Sequence, residues 1–278
     1  MFDLFSRPLE LKRFVDVEKP VEEISSKRPV VLRDNERVLD AINLMLERFR
    51  RVPVVDAHMN LKGIITMVDI LDLLGGGEKY EILARRRGSL KIPVRKVMER
   101  HVITMDRKIS TRKALEIFKR EGRGAYPILH RKKLVGIISE WDFIKLIKGN
   151  VDVLVGHLMT RRPIILKPNY SLLDAMKTIC RAGFRRLPVV EDSILIGIIT
   201  PRDILIYLRE NESLDRMEMA KVKINEVMER NLAVMYPETR LMDAIKTMRL
   251  RRVGGLPVTD GDELVGILTE RDIIEAFA

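Results

Sequence analysis

The stretches GIITMVD at 63–69, GIISEWD at 136–142, GIITPRD at 197–203 and GILTERD at 266–272 decide how this chain is read. Each runs Gly, two aliphatic residues, Ser or Thr, two variable residues, Asp, and four such matches in 278 residues are an internal repeat. The glycines lie 73, 61 and 69 residues apart. A second marker precedes each one: RRVPVV ending at Val55, GAYPIL at Leu129, RRLPVV at Val190 and GGLPVT at Thr259, with its Pro nine or ten residues before the Gly. The register is therefore shared across a unit much longer than the signature.

Working outward, the segments 38–50, 111–122, 171–183 and 239–251 carry apolar residues at helical spacing. The Pro-Val and Gly-Ile segments read as two buried strands joined by a polar turn, and the Asp end of each signature opens a second helix. A short β-rich segment starts each unit, after leads such as VRKVMERHVITM, VGHLMTRRPIIL and INEVMERNLAVM. One unit is thus β-α-β-β-α. A unit of roughly 60 residues buries only about 60% of its unfolded surface, so copies are expected to pair. Sheet faces covering each other would give halves of 20–148 and 152–278, each an ordinary domain. Within them the expected boundaries are an N-terminal extension at 1–18, repeats at 19–74, 92–149, 150–209 and 224–278, and linkers at 75–91 and 210–223.

Composition narrows the class. With 46% apolar and 33% charged residues the chain can bury a sizeable core. The single Cys180 rules out a disulfide framework, and His58, His101, His130 and His157 are too dispersed for a metal site. No apolar run approaches a membrane span, and MFDLFSRPLELKRF is broken by Asp3, Arg7 and Pro8, unlike a signal peptide, so a cytoplasmic setting is expected. The net charge of +11 lies wholly before residue 151, where 32 basic residues face 21 acidic ones, against 19 and 19 afterwards. Such a half suits nucleic acid, an acidic protein face or phosphorylated small molecules; it equally suits a solvated, ion-paired surface. Arg85-Arg86-Arg87 and Arg131-Lys132-Lys133 fall in expected loops.

The signature has two chemical readings. Thr66, Ser139, Thr200 and Thr269 stand just before a helix, with Asp69, Asp142, Asp203 and Asp272 three residues on, which is the pattern of a capping box. The same groups suit a nucleoside phosphate, because a carboxylate can accept from both hydroxyls of a ribose while a hydroxyl and a helix N-terminus favour phosphate oxygens. The carboxylate repels phosphate, so a cation is needed nearby. Arg50, Arg51, Arg185 and Arg186 lie two and three residues before Pro53 and Pro188, and guanidinium forks match phosphate oxygens. They also suit the C-terminal end of a helix dipole. Arg123 sits one place earlier in copy 2, and copy 4 has Gly254-Gly255 at these positions, after Arg251-Arg252. Trp141, beside Asp142, is either core or a cleft wall.

Together, the four signatures, their Pro-Val strands and the order of elements resemble the cystathionine-β-synthase (CBS) domain, in four tandem copies over nearly the whole chain. The resemblance implies an α+β fold in which copies pair as two Bateman modules and the modules form a disc-like assembly. Stand-alone chains of four copies are most similar to the γ subunit of AMP-activated protein kinase and its archaeal relatives. The resemblance further implies that the four Asp contact ribose, that the four hydroxyls lie near ribose and phosphate, and that the Arg residues meet phosphate. Adenine is then expected between the first strand and the Pro-Val strand, near Val31, Ile103, Ile165 and Val234, although such aliphatics are ordinarily core.

No Walker loop, GxSxG elbow, HExxH or Cys/His dyad is present, and the fold analogy does not transfer chemistry, so a non-enzymatic protein without catalytic cofactor or metal is expected. The expected ligand is AMP, with ADP, ATP or S-adenosylmethionine as alternatives. The expected partners are a protein, a second copy of the chain or nucleic acid, and not a membrane. The rival reading is a nucleic-acid-binding or protein-docking module that uses the basic first half. It predicts steep salt dependence independent of the four Asp.

Overall fold

Apolar residues at helical and alternating spacing close into two helices and two strands per copy. The structure, a computed structural model, describes residues 17–47, 49–85, 90–149, 151–211 and 216–277; most of the expected extension, together with Arg86 and Arg87, lies outside them. Copy 1 contains α1 (Val38–Glu47), β1 (Arg51–Val55), β2 (Leu61–Thr66) and α2 (Met67–Leu71). Copy 2 contains α3 (Thr111–Glu121), β3 (Ala125–His130), β4 (Lys133–Ser139) and α4 (Glu140–Ile144). Copy 3 contains α5 (Leu172–Ala182), β5 (Leu187–Glu191), β6 (Ile194–Ile199) and α6 (Pro201–Glu210). Copy 4 contains α7 (Leu241–Arg251), β7 (Gly255–Asp260), β8 (Glu263–Thr269) and α8 (Glu270–Phe277).

Each copy opens with a short extended stretch parallel to the Pro-containing strand, pairing Leu32 with Val54, Met105 with Ile128, Leu166 with Val189 and Met235 with Val258. A parallel pair needs a crossover, which the first helix supplies. The Pro strand then forms an antiparallel hairpin with the Gly strand, bulged beside the Gly. In copy 1, Val54 faces Gly63 and Val55 faces Leu61, leaving Lys62 unpaired in the ladder. Of the basic run, Arg131 and Lys132 are the hairpin turn of copy 2, both at positive φ, and Lys133 opens β4 opposite His130.

The lead segments do not stay with their own copies. Ser26 and Lys27 of the first lead pair with Ile137 and Gly136 of copy 2, while Glu99 of the second lead exchanges both backbone hydrogen bonds with Ile64 of copy 1, each 2.9 Å. Thr160 and Arg161 pair with Ile267 and Gly266 of copy 4, and Glu229 pairs with Ile198 of copy 3. Copies 1 and 2 thus exchange leads, as do copies 3 and 4. The exchange explains the signature Gly: a Cβ on Gly197 would stand 2.9 Å from Met228 Cγ and 3.1 Å from the Glu229 carbonyl oxygen. On Gly266 it would stand 3.0 Å from the Thr160 carbonyl oxygen, and on Gly136 3.2 Å from that of Ser26. Only Gly lets the borrowed segment cross so close.

Two compact units result, and they are not the expected halves. One joins 1–29, 103–162 and 233–278; the other joins 30–102 and 163–232. The amphipathic helices cause this. In the second unit Met45, Leu71, Met176, Ile179 and Leu205, from the helices of copies 1 and 3, share one core. In the first unit Phe118, Phe143, Met248, Ile274 and Phe277 do so for copies 2 and 4. Phe118 packs edge-to-face on Tyr126 and Phe143, with centroids 4.6 and 5.0 Å away. The expected linkers also join a core: 75–91 carries a helix at Tyr80–Ala84 with Leu83 buried, and 210–223 one at Arg216–Met219 with Met219 buried. Arg216 stacks over the Tyr80 ring at 4.9 Å. Among the described residues no helix is long and apolar enough to cross a membrane.

Candidate functional site

All four signatures are built capping boxes. The backbone N–H of Thr66, Ser139, Thr200 and Thr269 donates to Oδ2 of Asp69, Asp142, Asp203 and Asp272 at 2.9, 2.8, 2.8 and 2.7 Å. Their side-chain hydroxyls donate to the same oxygens at 2.7, 2.7, 2.7 and 2.5 Å. The hydroxyl proton is thereby committed to the carboxylate, and in copies 1, 3 and 4 the hydroxyl oxygen also accepts from the backbone N–H of Asp69, Asp203 and Asp272 at 3.2, 3.5 and 3.4 Å, which leaves it one lone pair as a further acceptor. Capping uses only Oδ2. The two readings of the signature are therefore compatible, because Oδ1 is left over.

The copies differ in what holds Oδ1. Lys79 Nζ contacts Oδ1 of Asp69, Lys145 Nζ lies 3.1 Å from that of Asp142, and the Thr160 hydroxyl donates to that of Asp272 at 2.7 Å. Oδ1 of Asp203 has no partner among the described residues. Burial pushes the Asp203 carboxyl above its ordinary value against the Thr200 hydrogen bonds, with Glu229 adding to the rise. Burial likewise raises the Asp272 carboxyl, opposed by Thr269 and Thr160. The sequence singled out none of Lys79, Lys145 and Thr160. Lys145 was accessible as an i+3 neighbour on a helix, whereas Thr160 reaches Asp272 only through lead exchange.

The ladder places the Arg residues. Arg51 lies directly opposite Thr66, and the Arg50 carbonyl accepts from the Met67 N–H at the start of α2, 3.3 Å. Arg186 precedes Leu187, which pairs with Ile199, so Arg185 and Arg186 occupy the same register beside Thr200. In copies 2 and 4 these positions are Gly124-Ala125 and Gly254-Gly255, all buried, with Ala125 opposite Ser139 and Gly255 opposite Thr269. Arg123 is exposed, and its N–H donates to the Tyr126 hydroxyl at 3.1 Å. The Arg-bearing copies 1 and 3 share one unit, and the Gly-bearing copies 2 and 4 share the other.

The aliphatics expected near adenine stay out of the core. Ile103 and Ile165 are 38% and 45% exposed, and Val31 and Val234 are half-buried. Register corrects one of them: Val31, Ile165 and Val234 each immediately precede the residue paired with the Pro strand, but Ile103 lies two before Met105, so Thr104 is the equivalent position in copy 2. Trp141 is partly buried and packs against the core of its unit. Cys180 lies beside copy 1, its thiol pushed up to about 12 by burial and by Asp72 and Asp69. Among the described residues no cluster of His, Cys, Asp or Glu could hold a metal ion.

The CBS domain profile matches residues 21–76, 94–149, 155–210 and 224–278. The protein MJ1225 of Methanocaldococcus jannaschii is 32% identical over 270 residues, covering 91% of this chain and 96% of that protein. Its crystal structure, described as that of a protein proposed to be an archaeal homologue of γ-AMPK, matches with a TM-score of 0.86 at 31% identity, over 93% of this chain and 100% of that one. A 33.4 kDa protein encoded in a ribosomal RNA operon of Thermofilum pendens is 28% identical over 263 residues, 88% of this chain and 86% of that protein. The chain belongs to the CBS-domain family, with four copies of the domain.

Proposed function

We propose that this protein is a regulatory binder of adenine nucleotides, with AMP favoured and ADP and ATP as alternatives. The ribose sits at the signature carboxylates and the phosphate is met by Arg50, Arg51, Arg185 and Arg186. The observation that carries this reading is copy 3, where Asp203 spends one oxygen on the helix cap and the other has no partner among the described residues. The same copy has Arg185-Arg186 beside Thr200 and an exposed Ile165. A carboxylate, cations and an apolar surface match the three parts of a nucleotide. The likeness to MJ1225, described as a proposed archaeal homologue of γ-AMPK, supports the regulatory role. Regulation then requires the ligand to bind two states of the protein unequally.

Replacing Asp69, Asp203 and Asp272 together by Ala tests this. AMP binding by calorimetry is expected to vanish while the far-ultraviolet circular dichroism spectrum is kept, since each lost cap costs only about 1 kcal/mol. Affinity retained in that variant contradicts the reading.

A further inference from the structure

We propose that the four signature sites are unequal: copy 3 is ready to take a ribose, whereas copy 1 is latched by Lys79, which a ligand has to displace. The proposal rests on the nucleotide reading above and adds to it an order of binding and the residue that sets it. In copy 3 the helix after the signature, α6, runs ten residues without a break, and no side chain among the described residues returns to Oδ1 of Asp203. In copy 1 the corresponding α2 stops after five residues. The chain then enters a wide turn at Asp72–Gly76, with Gly75 at φ 128°.

That turn brings Lys79 back onto the site. The Asp72 carboxylate accepts from the backbone N–H of Lys79 at 2.9 Å, which fixes where the side chain starts. Nζ then reaches Oδ1 of Asp69 and lies 4.0 Å from Oδ2 of Asp72. With Oδ2 of Asp69 already holding Thr66, neither oxygen of that carboxylate is uncommitted. Gly76 permits the return, because a Cβ there would stand 3.0 Å from the carbonyl oxygens of both Leu71 and Met176. Lys79 keeps 28% of its side chain exposed, so a solute can compete for its partner. A latched site binds with its intrinsic affinity multiplied by the fraction of time that it is open.

Calorimetric titration with AMP tests the latch. Wild type is expected to show a leading site that Asp203→Ala removes. In the Asp203→Ala background, Lys79→Met or Lys79→Gln is expected to tighten the remaining binding about tenfold, and adding Asp69→Ala is expected to erase that gain. In wild type, saturating AMP is expected to raise the rate at which a soluble acylating reagent modifies Lys79, a readout that needs no variant. Unchanged affinity in both Lys79 variants, a gain that survives Asp69→Ala, or an unchanged acylation rate overturns the latch, while Asp203-dependent binding in wild type leaves the nucleotide reading standing. If wild type binds no AMP at all, the nucleotide reading falls and the latch with it.

Discussion

At the residue scale, the division of labour within one carboxylate matters most. Oδ2 of each signature Asp stabilises a helix, and Oδ1 is the oxygen that can act on something else. Because burial raises the Asp203 carboxyl, the folded chain holds that proton more tightly than the unfolded chain does. Its contribution to stability therefore declines as pH rises through the raised value, and the ionised form present at neutral pH is a cost to the fold. Asp203→Asn, which keeps an acceptor for the cap, is expected to raise the melting temperature at pH 7 while weakening ligand binding. Adenosine, which has no titrating phosphate, is expected to lose affinity as pH falls, starting above the ordinary carboxylate range; affinity flat down to pH 4 would contradict this. The Arg residues act on the other end of the ligand. Arg185→Ala with Arg186→Ala is expected to weaken AMP binding about tenfold or more and adenosine binding little.

At the element scale, the exchanged lead explains why the signature begins with Gly. The crossing chain leaves no room for a Cβ, so Gly197→Ala forces Met228 or the strand to shift. A loss of about 1–3 kcal/mol is expected, read from the midpoint of chemical denaturation at constant slope. The helices and hairpins were legible in the sequence because apolar spacing and Pro-Gly punctuation are local signals; α3 and α5 fall almost where spacing puts them. The exchange was not legible, since Glu99 and Ile64 meet through a backbone pairing that no side-chain pattern encodes. The helices within 75–91 and 210–223 were hidden by their polar, Gly-rich or charged surroundings. Only the packing of Leu83 and Met219 reveals them as core.

At the scale of the whole molecule, chain order and spatial order part company. Four copies were countable from four signatures, but which copies share a core depends on helix faces complementary across more than a hundred residues, as with Met45 and Leu205. The same rearrangement dissolves the charge asymmetry. The unit made of 1–29, 103–162 and 233–278 carries 26 basic and 20 acidic residues, and the other carries 25 and 20, so the basic excess of the first half is shared between the two units. The Asp, hydroxyl and Arg residues of the candidate site could be named from the sequence, while the groups that hold Oδ1 emerged only from the fold. The most direct test of the nucleotide function is a calorimetric titration of the nucleotide-stripped protein with AMP, ADP and ATP at physiological salt. Saturable binding led by AMP is predicted, and no heat of binding with any of the three would contradict the account.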